Sequence, residues 1–251
     1  GWRLIWQVRV SVLGIEALIS SATLLDSRQE RVWRSVLVGK LGRYHSNHGH
    51  EAMVTQNNIN FFTNWAKERL DEMEATVTSL EARASEVQSE AREKATKVLA
   101  DLCKQRDEFR DTVKKQSEVG EAAWTQAKSR MEADWRVFET EAGKYVESFG
   151  KQIEQQQATF KLQAEAQLKA WREAADKLGS DAKNFASERR GDIDAALKRM
   201  NADAIEAEKK LEKLREAGTH SWSALMAALA ETRLAFDRAN EAAREAFKRA
   251  A

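Results

Sequence analysis

The chain has 251 residues, of which 32% are charged, none is proline and only one is cysteine, and its formal net charge is +1. A proline inside a helix costs about 3 kcal/mol and an average chain of this length carries roughly a dozen, so their absence points to long uninterrupted helices. Acidic and basic residues are interleaved, as in Lys67, Glu68, Arg69 and Asp71, which excludes the clustered basic stripe of a nucleic-acid-binding domain.

Residues 1–52 form a separate compositional population. They hold three of the eight tryptophans, three of the four histidines and five of the eleven glycines, and Lys40 is the only lysine before position 66. Trp6, Val8, Val10 and Val12 alternate with polar residues as a strand does. The apolar stretch from Val8 to Ile19 is interrupted by Arg9 and Glu16, which argues against a secretory signal and against a membrane span. The segment therefore reads as an atypical extension or upstream sequence, with Met53 the expected initiator. Its His45, His48 and His50 have ligand-like spacing, but no Cys or carboxylate motif completes a site, and Asn47 and Gly49 mark a loop.

After Met53 two helical repeats are expected, over 53–150 and 151–251. Leu70, Met73, Val77, Leu80, Ala84, Val87 and Ala91 alternate steps of three and four, as a coiled-coil seam requires. The stripe continues to Gln116 with two extra steps of four, which locally straighten the supercoil. A first helix is expected from a cap at Thr63 or Asn64 to a break at Gly120, about 80 Å of continuous helix. A second begins at Glu121 and carries Trp124, Met131, Trp135, Phe138, Ala142, Tyr145 and Phe149 on one face. Gly143 and Gly150 weaken it, and whether it runs on past Gly150 through Phe160 and Trp171 is left open by the sequence; a break is expected at Gly179, with Ser180 and Asp181 capping the next helix. That third helix has the seam Ile193, Leu197, Met200, Ala204, Ala207, Leu211 and Leu214 and stops at Gly218. Thr219 and Ser221 cap a last helix that presents Trp222, Leu225, Leu229, Phe236 and Phe247.

An internal repeat at an offset of 98 emerges from these segments. Gly120, Trp124, Phe138 and Phe149 fall on Gly218, Trp222, Phe236 and Phe247. A glycine break followed by an aromatic-faced helix thus occurs twice, and short connections make neighbouring helices antiparallel. The expected fold is all-α, built of long antiparallel helical hairpins or coiled coil. Trp124, Trp135, Phe138, Phe149, Trp222, Phe236 and Phe247 are its expected packing or interaction residues.

No catalytic constellation stands out. A di-iron bundle needs paired Glu-x-x-His motifs, and the helical part has only His220, at a turn. There is no phosphate-cradling Gly-rich loop, His-Glu-x-x-His or Cys-x-x-Cys, so no enzyme activity, cofactor or metal is expected. The carboxylates stand beside Lys or Arg and read as solvated surface. Arg190, Gly191 and Asp192 spell an adhesion tripeptide, which chance explains. Cys103 reads as a small residue flanking a seam and, being single, suits a reducing compartment.

The stretch from Glu212 to Phe247, with Gly218, Trp222, Phe236 and Phe247, resembles bacterial coiled-coil stress-response proteins, and a degenerate copy runs from Lys114 to Phe149. The resemblance covers about two-thirds of the chain, leaves out residues 1–52, and implies a cytoplasmic protein with no catalytic residues. The expected function is a non-enzymatic interaction or scaffold protein whose partner is itself, as a homo-oligomer, or another helical protein. The alternative is a protein that binds membrane surfaces reversibly by laying an opened Trp and Phe face in the interface; such helices concentrate Lys and Arg on the polar face, whereas acid and base balance here. Eight tryptophans and regular seams disfavour a chain that folds only on drying.

Overall fold

The computed structural model describes residues 61–116, 121–150, 153–217 and 221–251, with the side chains of 121–125 and 153 left out. The expectations for residues 1–52, the three histidines, Met53, Gly120, Gly218 and the Trp124 side chain lie outside that description. Among the described residues there are six α-helices and no strand, so the all-α expectation is met. They are α1 (61–82), α2 (Ser89–Gln116), α3 (Glu121–Phe149), α4 (Ile153–Ala182), α5 (Gly191–Ala217) and α6 (Trp222–Ala250). Short 3₁₀ turns, Ala84–Glu86 and Ser187–Arg189, separate α1 from α2 and α4 from α5.

The long first helix of the sequence reading is in fact two. Helix is already present at Phe61, so Thr63 and Asn64 are not caps, and it ends at residue 82, its described part spanning about 33 Å. Nothing in Ala82, Arg83, Ala84, Ser85 and Glu86 breaks a helix. Propensity differences of a few tenths of a kcal/mol per residue yield to tertiary packing, which here buries Val87. Arg83 N–H donates to the Leu80 carbonyl at 3.2 Å, and Arg92 reaches back from α2 to the carbonyls of Ser85 and Val87, both at 3.3 Å.

Of two further boundaries, the one at Gly150 had been left open and the one at Gly179 moves. The helix from Glu121 does not pass Gly150: it ends at Phe149, and Gly150 N–H bonds the Val146 carbonyl at 2.8 Å. A Cβ on Gly150 would lie 2.9 Å from that same carbonyl oxygen. Conversely, Gly179 is not a break. Helix α4 runs through it to Ala182, because Leu178 and Ala182 both bury against the core and a mid-helix glycine costs only about 1 kcal/mol. Ser180 and Asp181 therefore belong to α4, and α5 starts at Gly191 after a turn whose Phe185 stands edge-on to Phe247 at 5.5 Å.

The order helix, 3₁₀ turn, helix, helix occurs twice, over 61–149 and 153–250. At the offset of 98, buried residues fall on buried residues: Met73 on Trp171, Leu80 on Leu178, Leu102 on Met200, Met131 on Leu229 and Phe138 on Phe236. Helix α1 runs antiparallel to α2, and α5 runs antiparallel to α6. Glu74 at the middle of α1 meets Arg110 near the end of α2, and Asp192 at the start of α5 meets Arg249 at the end of α6. Between the sets, α1 and α4 also run antiparallel, since Ser79, Thr76, Glu72 and Lys67 meet Thr159, Gln163, Gln167 and Glu173 in turn. Helix α1 has neighbours around most of its circumference, and it is the residues turned toward α4 and α6 that carry the unusual chemistry.

Candidate functional site

Six polar or charged residues of α1 are buried: Asn64, Glu68, Arg69, Glu72, Thr76 and Ser79. Their spacing of four, one, three, four and three places most of them on one helical face. That face meets Thr159, Gln163 and Gln167 of α4 and Arg233, Asp237 and Asn240 of α6, most of them buried as well.

The centre of this seam is Glu72, whose side chain is 0% exposed. Arg233 donates to it twice, Nη2 to Oε1 at 2.8 Å and Nε to Oε2 at 3.3 Å, and Gln167 Nε2 adds a third bond to Oε2 at 2.7 Å. Arg233 also reaches Glu139 of α3 at 3.0 Å, and its guanidinium lies 4.5 Å over the Trp135 ring. One cation thus joins α1, α3 and α6. Burial opposes its charge, but Glu72, Glu68 and Glu139 outweigh that and hold the Arg233 pKa above the ordinary guanidinium value.

One turn earlier, Arg69 forks onto Asp237 of α6 with bonds of 2.7 and 2.6 Å, a bidentate geometry that only a guanidinium provides. Its Nη1 also donates to Glu68 Oε2 at 2.9 Å, and its plane covers Trp65 at 4.6 Å. The other Glu68 oxygen, Oε1, meets no donor among the described residues, although the side chain is 1% exposed. Burial raises the Glu68 pKa to about 7; Arg69 and Arg233 pull it down, while Glu72 and Asp237 push it up.

Toward the other end of α1 the seam turns from ionic to neutral. Gln163 Nε2 donates to Thr76 Oγ1 at 2.9 Å, Thr76 donates to the Glu72 carbonyl, and Ser79 and Thr159 share a hydroxyl contact of 2.8 Å. At the start of α1, Asn240 Nδ2 donates to the Phe61 carbonyl at 2.9 Å. The arrangement can lock four helices in one register and can hold or release a proton. Its carboxylates are engaged by guanidinium and amide groups, and among the described residues no group of three or more His, Cys, Asp or Glu is placed to hold a metal.

Six of the packing residues singled out in the sequence have described side chains, and five of them are buried. Phe236 is buried and stands edge-on to Trp171 at 5.5 Å; Trp135 and Phe138 are buried with ring centres 5.9 Å apart; Phe247 packs edge-on to Phe61 at 5.4 Å; Trp222 is buried at the start of α6. Phe149 is half-buried against Tyr145. Arg190, Gly191 and Asp192 lie at the start of α5, with Asp192 tied to Arg249 at 3.0 Å. Cys103 is half-buried beside Glu81.

The carboxylates had read as solvated surface, and for Glu68 and Glu72 that is corrected: both are inside, because α1 is covered by α4 and α6 on the side that bears them. Trp65 and Trp171, fully enclosed, are equally central. A usable signal was present in Glu68, Arg69 and Glu72, charges that lie on the apolar side of a helix beginning with Phe61, Phe62 and Trp65. The chain matches no protein-family model, no curated protein and no solved structure.

Proposed function

We propose that this is a non-enzymatic helical interaction protein, a scaffold that acts through helix packing on a second copy of itself or on another helical protein. The observation that supports the reading is the ionic seam: Arg233 and Arg69 tie α1 to α3 and α6 from inside, so the surrounding helices present their outer faces in a fixed arrangement. Those faces are charged and carry the exposed apolar side chains Val137 on α3, Ile205 on α5 and Leu234 on α6, the last 57% exposed. Membership among bacterial coiled-coil stress-response proteins and a cytoplasmic location belong to the same reading and rest on the sequence resemblance.

The competing reading, reversible binding to a membrane surface, draws on the number of Trp and Phe residues. Among the described residues no helix is long and apolar enough to cross a membrane. Surface binding would require α6 to leave the core, since Trp222, Phe236 and Phe247 all face inward. Light scattering of the full chain over a concentration series, with and without anionic vesicles, separates the two. Self-association with unchanged tryptophan emission supports the scaffold reading. A monomer that binds vesicles with a shifted emission replaces it with the membrane reading, and a monomer that ignores vesicles confines the scaffold reading to a different helical partner.

A further inference from the structure

We propose that the contact between α1 and α6 is a proton-operated joint: with the Glu68 carboxyl protonated the two helices close on each other, and loss of that proton as pH rises loosens α1 from α6. The inference rests on the ionic seam and is independent of the functional reading above.

The geometry carries it through a shortage of cations. Four carboxyl groups, Glu68, Glu72, Glu139 and Asp237, share two guanidinium groups, Arg69 and Arg233. Arg233 is committed to Glu72 and Glu139, and Arg69 spends both terminal nitrogens on Asp237. Among the described residues, Glu68 receives only a shared bond from Arg69 Nη1, and its Oε1 is without a donor at 1% exposure. An ionised carboxylate with one oxygen bare and buried is costly, and the neutral acid removes both the surplus charge and the bare acceptor.

The surrounding groups do not remedy this. Arg69 and Glu72 lie on the same helix and Arg233 and Asp237 on α6. On α3 are Glu139, engaged by Arg233, and Lys128, which lies 5.5 Å over the Trp65 ring. From α4 come the neutral Gln163 and Gln167, while Glu173 on that helix is held by Lys67 at 2.9 Å. Burial lifts the Glu68 carboxyl to about 7 in the closed arrangement, from an ordinary value of 4.5. A carboxyl of this kind binds its proton more tightly when closed than when open. Its stabilising contribution is therefore complete below the open-state value and is lost as pH climbs through about 7. Between those values the opening constant rises by up to about tenfold per pH unit.

The test follows hydrogen exchange of the 61–82 segment and thermal unfolding of the full chain from pH 5 to 8.5 at fixed ionic strength, with exchange corrected for its intrinsic pH dependence. The expected result is a tenfold or greater rise in α1 opening across this range relative to α5, together with a falling melting temperature. Glu68→Gln, which imitates the protonated acid, should flatten both trends and melt above the parent at pH 8. The difference between parent and variant reports Glu68. Asp237→Asn, which frees Arg69 for Glu68, should move the transition to lower pH. Equal pH slopes in parent and Glu68→Gln, or a transition unmoved by Asp237→Asn, overturn the proposal. Should Glu68→Gln fail to fold, the Asp237→Asn shift and the pH-dependent exchange of the parent still decide it.

Discussion

Helices α1 and α4 stand 98 residues apart in the chain and share a pattern of burial, yet their interiors are chemically unlike. Where α1 has Glu68, Arg69, Glu72 and Thr76, α4 has Ala166, Gln167, Ala170 and Ala174. In their neighbours the difference is reversed: Trp135 of α3 corresponds to Arg233 of α6, while Glu139 and Asp237 are acidic in both. The ionic cluster is therefore shared between the sets, α1 of the first facing α6 of the second, and at the matched positions α4 has mostly small apolar residues and α3 an indole. Equal packing positions thus accept either chemistry, provided the partner changes with it. A buried charge is tolerable when its counterion is supplied from the facing helix, and it then penalises any other pairing of the same helices.

Removing the counterion is the strongest way to break this contrast. Arg233→Ala strands Glu72 with only Gln167 and releases Glu139, so a loss toward the upper end of about 3–5 kcal/mol is expected in urea unfolding. Adding Glu72→Gln to it should recover part of the loss. A cost no larger than that of a surface pair would mean the ionic seam does not hold the bundle.

The next effect tests whether the two sets carry equal apolar weight. Phe138 and Phe236 are each 1% exposed, and truncation of either to Ala should cost about 3–4 kcal/mol through lost burial and a residual cavity. Thermal melts of the two variants should agree closely. A mild Phe138→Ala beside a severe Phe236→Ala would place the stability of the bundle in the second set alone.

Smaller effects come from the glycines. Gly150→Ala brings a Cβ against the Val146 carbonyl and should destabilise by about 1–2 kcal/mol. Gly179→Ala meets open space inside a helix and should stabilise by about 0.5–1 kcal/mol. Opposite signs in a melting experiment would support the two helix boundaries, and a stabilising Gly150→Ala would remove the first of them. At the small end, Arg172→Ala dissolves a pair with Glu208 in which both side chains are about half exposed, and it should cost under about 1 kcal/mol.

How much of this was legible in the sequence differs sharply between the ends of the bundle. The seam of α5 read from spacing, Ile193 to Leu211, is its buried face, and Ser221 caps α6 by accepting from the Ala224 N–H at 3.4 Å. Helix α5 keeps its buried residues on one stripe, so apolar spacing reports it faithfully, and a capping serine marks where α6 begins. Helix α1 was misread for the opposite reason. It is covered by neighbours on several sides, and half of what it buries is polar, so a count of apolar positions found a narrow stripe and assigned the rest to water. The break after residue 82 left no strong local mark either, since Ala, Arg and Glu favour helix and a single Ser costs only a few tenths of a kcal/mol; the turn carries bonds from Arg92 on the following helix. The ionic seam needed knowledge of which helix faces which: Glu72 and Arg233 are separated by 161 positions.

Arg233 lies over Trp135, the residue at its own matched position in the other set of helices. In a symmetric pair of identical chains, a residue on the two-fold axis meets its own copy, so a cation there would face a second cation and an indole a second indole. Because both positions belong to one polypeptide, each can be altered without altering the other. That independence permits a guanidinium to rest on an aromatic face at the centre, and it lets a single codon change retune one side of the junction while its counterpart stays as it was.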